Sequence, residues 1–149
     1  MQQKMAKQET MTQAHIRKAQ GAFLLAHRMG LIEDPTMEGL ETRRQKHNEE
    51  LRRMEQEGQR FYGPHYFSAP AYLQYECTRF RLAFAGERKQ VRYNYAPITT
   101  REEKAYYKAN KDLFTRYMGD KFRFREVKQV VRKKMREEEY DRAVQDLLR

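Results

Sequence analysis

Residues 68–86 read SAPAYLQYECTRFRLAFAG, and this stretch decides the fold. Ser68 is placed to cap a helix, and Gly86 ends it. Between them Tyr72, Leu73, Tyr75, Phe80, Ala83 and Phe84 point nearly all round the predicted helix, over about Ala69 to Ala85. A helix that is apolar on most of its circumference belongs at the centre of a fold.

Outward from this centre the punctuation repeats. Upstream, Ala14, Ala19, Ala22, Phe23, Ala26 and Met29 recur at helical spacing and Gly30 follows them, which predicts a helix over 11–29. Asp34-Pro35 opens a second helix over 35–57 that Gly58 closes. Its seam of Met37, Leu40, Arg44, His47, Leu51 and Met54 is narrow, so this helix is expected to lie across a surface or to extend as an arm. So few apolar positions leave room for a homodimer.

Downstream, Thr100 and Glu103 are spaced as a capping box for a fourth helix over 100–116, with Ala105, Tyr106, Ala109, Leu113 and Phe114 as its apolar face. Phe122-Arg123-Phe124 alternates long enough for a short extended piece at 122–124. A fifth helix over 125–148 carries Val127, Val130, Val131, Met135, Tyr140, Val144, Leu147 and Leu148. The expectation is an all-α irregular bundle of five helices in one domain over 11–149, behind a flexible N-terminus at 1–10.

Composition narrows the function. The 149 residues contain 31 Lys+Arg and 21 Asp+Glu, a net charge of +10, with 10 Tyr and 8 Phe but no Trp. Residues 59–98 hold 6 basic against 2 acidic side chains, and 121–149 hold 10 against 6. Elsewhere the signs interleave as on solvated helix faces. Such a surplus favours acidic partners: nucleic acid, anionic lipid or an anionic cell wall. No apolar run reaches the length of a membrane span. The polar, Gln-rich start has no signal-peptide core, which makes the protein cytoplasmic, or extracytoplasmic in the cell envelope where a leader is missing from this sequence.

Catalytic and metal chemistry have little footing in the sequence. His15, His27, His47 and His65 have no metal-ligand spacing, no Gly-rich phosphate loop occurs, and Cys77 on an aromatic helix reads as packing. Glu137, Glu138 and Glu139 are consecutive, which spreads them around a helix instead of converging them on a substrate. No catalytic residue, metal or cofactor is expected, and the chain is not expected to be an enzyme. The dense constellation is aromatic. Phe61, Tyr62, Tyr66, Phe67, Tyr72, Tyr75, Tyr106 and Tyr107, with Arg79 at the rim, are either core or the lining of a groove.

The run Ile98-Thr99-Thr100-Arg101-Glu102-Glu103-Lys104-Ala105-Tyr106-Tyr107-Lys108-Ala109-Asn110-Lys111-Asp112-Leu113-Phe114 resembles the segment that leads into the parvulin-type prolyl isomerase domain of SurA/PrsA-like foldases. Phe122 to Lys128, running on through Arg136 to Asp141, resembles the helix that follows that domain. Phe61-Tyr62-Gly63-Pro64 with Phe67, Tyr72 and Tyr75, behind Ala26 to Ile32, is similar to the N-terminal helical region. Only seven residues separate Phe114 from Phe122, far too few for the isomerase domain, so no isomerase residue carries over. The resemblance implies a non-catalytic, chaperone-like protein. It would hold a non-native or dedicated client polypeptide, without ATP, in an aromatic-lined helical cradle. The second reading is a basic RNA- or ribonucleoprotein-associated structural protein.

Overall fold

A computed structural model describes residues 12–86, 91–115, 119 and 121–149. The N-terminal segment expected to be flexible, 1–10, lies outside them. Among the described residues the fold is all-α, with five α-helices and no sheet.

Helix α1 (Gln13–Arg28) starts at Thr12, whose Oγ1 accepts from the His15 amide. It ends where Gly30 takes φ +80 and the Leu31 amide returns to the Ala26 carbonyl at 2.9 Å. A left-handed residue just past a helix is what allows that closing bond, and glycine adopts it without steric cost. Its small-residue face buries Ala19, Ala22 and Ala26 beside Phe23 and Met29. At Gly21 a Cβ would come within 3.0 Å of the Leu148 side chain and 3.1 Å of Val144, so α1 lies very close to the end of the last helix.

Helix α2 (Met37–Gln56) is capped by Thr36, two residues later than the Asp34-Pro35 start expected. Asp34 instead accepts from the Thr36 amide and hydroxyl at 2.9 and 2.6 Å, fixing the cap from outside. Helix α3 (Ala69–Ala85) has the predicted bounds and the predicted Ser68 cap.

Helix α4 (Thr100–Ala109) is shorter than expected. Its cap is Thr99, with Glu102 as the reciprocal acid, one residue upstream of the predicted pair. Asn110 leaves helical geometry, and a 3₁₀ turn (Lys111–Phe114) follows, so Leu113 is exposed while Phe114 is buried. An isolated antiparallel bridge joins Thr115 to Lys121, with the Phe122 amide donating to the Phe114 carbonyl. Phe124 already belongs to helix α5 (Phe124–Leu147).

The long α5 is the spine. Its C-terminal half places Tyr140 and Val144 in the main core with α1, α3 and Leu40 and Leu51 of α2. Its N-terminal half places Val127 and Val131 in a second, smaller core with Phe114, flanked by Tyr106 and Tyr107. No helix among the described residues is long and apolar enough to cross a membrane.

Candidate functional site

The aromatic residues singled out in the sequence occupy three different places. Phe67 and Tyr72 are buried at 8% and 3% exposure, and Tyr75 is half-buried. The imidazole of His47 stands edge-on to these rings, with centroids 5.1, 5.5 and 5.4 Å from Phe67, Tyr72 and Tyr75. Helix α2 closes over this cluster. Asn48 both accepts from the Phe67 amide (2.8 Å) and donates to its carbonyl (3.0 Å), and Arg44 donates to the same carbonyl. In the loop before α3, Tyr62 is fully exposed and Tyr66 largely so, Phe61 stacks on His65, and Arg44 lies over the Tyr66 ring.

Tyr106 and Tyr107 are far along the chain in the second core. Tyr107 donates to the Phe122 carbonyl, and Tyr106 donates to Glu138 at 2.9 Å. Burial, and then the Glu138 carboxylate, push the Tyr106 phenol up to about 12. Arg79 lies over Tyr75 at 5.7 Å and is exposed. The rings of 67–75 therefore pack inside, and the nine residues do not converge on one surface.

A concavity of about 800 Å³ runs instead between α3 and α5. Phe80 and Phe84 form its buried floor. Leu82 and Val130 project into it from the two helices, 50% and 47% exposed. Arg79, Arg132, Lys133 and Arg136 stand around it, and no carboxylate among the described residues lines it.

The four cations differ in how far they are already engaged. Arg136 is nearly buried, donates to the Ala96 carbonyl (2.7 Å) and to Glu139 (2.6 Å), and stacks on Tyr95 at 4.7 Å. Arg132 lies 3.8 Å from Glu103, a buried carboxylate whose second oxygen has no hydrogen-bond partner. Lys133 has no ion-pair partner among the described residues.

This groove was not read from the sequence. The helical spacing puts Val130 and Val131 together on the apolar face of the last helix. Adjacent residues are about 100° apart on a helix, so only one can sit at the centre of its buried stripe. Val131 is fully buried and Val130 is the one left outside. Leu82 falls between Phe80 and Phe84, which both face the core, and that offset is the signal that it points away.

Cys77 is half-buried, and burial followed by the nearby Glu76 carboxylate pushes its thiol up to about 11, the opposite of an activated nucleophile. Among the described residues no group of three or more His, Cys, Asp or Glu is arranged to hold a metal ion.

A bundle of this shape is found inside a glycoside hydrolase. The solved structures similar to this chain include the GH136 lacto-N-biosidase from Eubacterium ramulus. Its native structure matches with a TM-score of 0.72 and 25% identity over 89% of this chain. Its selenomethionine derivative matches with 0.73 and 24% over 88%. In both, the chain spans 27% of the length of the lacto-N-biosidase. No protein-family model matches the chain, and no curated protein matches it.

These findings correct three expectations. The SurA/PrsA-like foldase assignment is overturned, because the similar structures are of a glycoside hydrolase and nothing else found supports that family. The chaperone function falls with it, and the RNA-associated alternative gains no support. The expectation that the chain is not an enzyme is contradicted by the same likeness, which covers 27% of the hydrolase chain. The physical reason for the error lies in α4. Tyr106, Tyr107 and Phe114, which carry the resemblance, pack α4 and its 3₁₀ turn onto α5. They report local packing, not a client surface.

Proposed function

We propose that the chain is the helical module of a carbohydrate-active enzyme and takes part in glycoside hydrolysis of the lacto-N-biosidase kind. The observation that carries this reading is the match of nearly the whole chain to a part of such an enzyme. Most of that enzyme's length lies outside the match, so the module works beside a larger portion.

Glycoside hydrolysis commonly uses two carboxyl groups flanking the scissile bond, about 5 Å apart in retaining enzymes and roughly 6.5–9.5 Å apart in inverting ones. In this chain Glu76 is held by Arg43, Glu137 and Asp141 by Arg81, and Glu139 by Arg136. The Arg136–Glu139 pair lies within α5, and the others fasten helix to helix. Arg43–Glu76 ties α2 to α3, and Arg81 ties α3 to α5 through a two-pronged bond to Asp141 at 3.1 and 2.9 Å. In this reading the module supplies a fixed helical body, with the groove of α3 and α5 held in register.

Immunodepletion tests the proposal. Antibodies raised against this chain should remove the hydrolysis of a chromogenic lacto-N-bioside, or of a related chromogenic glycoside, from an extract of its source organism. Hydrolysis of the whole substrate panel left undiminished would refute it.

A further inference from the structure

We propose that the α3–α5 groove is the face on which the larger portion of that enzyme docks, through a helical segment whose side chains are leucine-like on one face and acidic along its edges. The inference rests on the reading of the chain as an enzyme module and adds the surface and the partner's chemistry.

Leu82 and Val130 are two of the large apolar side chains that the fold leaves about half exposed, and they meet across one concavity. Covering such area with apolar side chains is favourable by roughly 25 cal/mol per Å². Aliphatic groups at the mouth suit the side chains of a polypeptide better than flat bases, which are bound by stacking on exposed aromatic rings. Phe80 and Phe84 are buried beneath the aliphatics, and the half-buried ring of Tyr95 already carries the Arg136 guanidinium at 4.7 Å.

Charge then selects among polypeptides. Arg79, Arg132, Lys133 and Arg136 border the groove with no acid among the described lining residues, so a basic segment is repelled and an acidic one is attracted. Arg136 is committed to Glu139 and to the Ala96 carbonyl, which leaves Lys133 and Arg79 best placed to meet the partner's carboxylates. Two helices with a furrow between them accept a third helix by the helix-in-groove mode, with anchors at i, i+3, i+4 and i+7.

The probe is a synthetic fluorescein-labelled peptide of about four helical turns, with leucine at those spacings and glutamate beside them. Its binding to the purified chain is followed by fluorescence anisotropy. Saturable binding is expected, weakened at least tenfold by Lys133→Glu and by Val130→Asp and unchanged by Arg52→Glu on the exposed side of α2. Circular dichroism checks each fold, and Lys133→Gln with Val130→Ser replaces any variant that is unfolded.

Absence of binding would overturn the proposal. Equal binding by the groove variants, or equal binding of a peptide with lysine in place of glutamate, would do the same. A single-stranded oligonucleotide that binds more tightly than the peptide and is displaced by the groove variants would assign the furrow to nucleic acid instead. Peptide binding requires no hydrolysis, so a failed immunodepletion beside intact, groove-dependent binding would be a failure of the enzyme reading and not of the groove.

Discussion

Replacing Arg43 with alanine should be among the most damaging single changes in this chain. Glu76 is 1% exposed, and its two oxygens receive Nε and Nη2 of Arg43 at 2.8 and 2.9 Å. The third arm of the guanidinium donates to the Asp34 carbonyl at 2.8 Å, and the group lies 5.7 Å from the Phe23 ring centre. Truncation leaves a carboxylate buried without its counter-charge, which costs about 3–5 kcal/mol. Because the Arg43 side chain is 22% exposed and water can approach from its side, the lower end, about 3 kcal/mol, is expected. For a chain of this length that corresponds to a fall in Tm of roughly 6–12 °C. Urea unfolding followed by circular dichroism should show a lower midpoint with an unchanged slope. The double variant Arg43→Met with Glu76→Leu removes both charges and should recover most or all of the loss. A cost below about 1 kcal/mol for Arg43→Ala, the value of an exposed pair, would show that Glu76 is not isolated from solvent and would refute the reasoning.

Asn48→Ala removes both bonds to the Phe67 backbone and strands its amide, at a cost of about 2 kcal/mol. Hydrogen exchange of the Phe67 amide should accelerate well beyond that of the α1 core amides. Cys77 should react slowly with a thiol reagent at pH 8 in the folded protein and rapidly in denaturant, because its thiol stays protonated until about pH 11. Reaction at the rate of an unfolded cysteine at pH 8 would contradict its placement. Burial raises the phenols of Tyr72, Tyr93, Tyr95 and Tyr140 above the usual 10.0, and Tyr106 reaches about 12. A raised folded value stabilises fully below the unfolded value and is lost on passing through the folded one. Urea midpoints should therefore be insensitive to these groups below pH 10 and fall between about 10 and 12, less steeply in Tyr106→Phe.

How far the fold was legible depended on whether each boundary had one register or two. Ser68 and Gly86 admit a single reading, and α3 has those bounds. Thr99-Thr100 and Glu102-Glu103 admit two, because the same capping spacing fits either threonine. Packing makes the choice: Glu103 is 2% exposed beside Arg132, which leaves Glu102 to answer Thr99. Leu113 and Phe114 continue the helical spacing of α4, yet the helix stops at Asn110, whose side chain takes the Tyr106 carbonyl and competes with helical continuation.

The candidate site was less legible for a related reason. Counting rings cannot distinguish Tyr72, which His47 of α2 helps to bury, from Tyr66, which stays largely exposed under Arg44 alone, because the difference is made by a helix residue 25 positions away in sequence. Resemblance failed in the same way. In the run from Ile98 to Phe114 the matched positions are those that cap α4 and pack it on α5. Residues selected for local packing recur wherever two helices meet with that geometry, whatever the protein does. The positions that could separate one function from another are the ones packing leaves free. Here those are Leu82, Val130 and Lys133, and no helical period or motif draws attention to a side chain whose distinguishing property is that the fold does not use it.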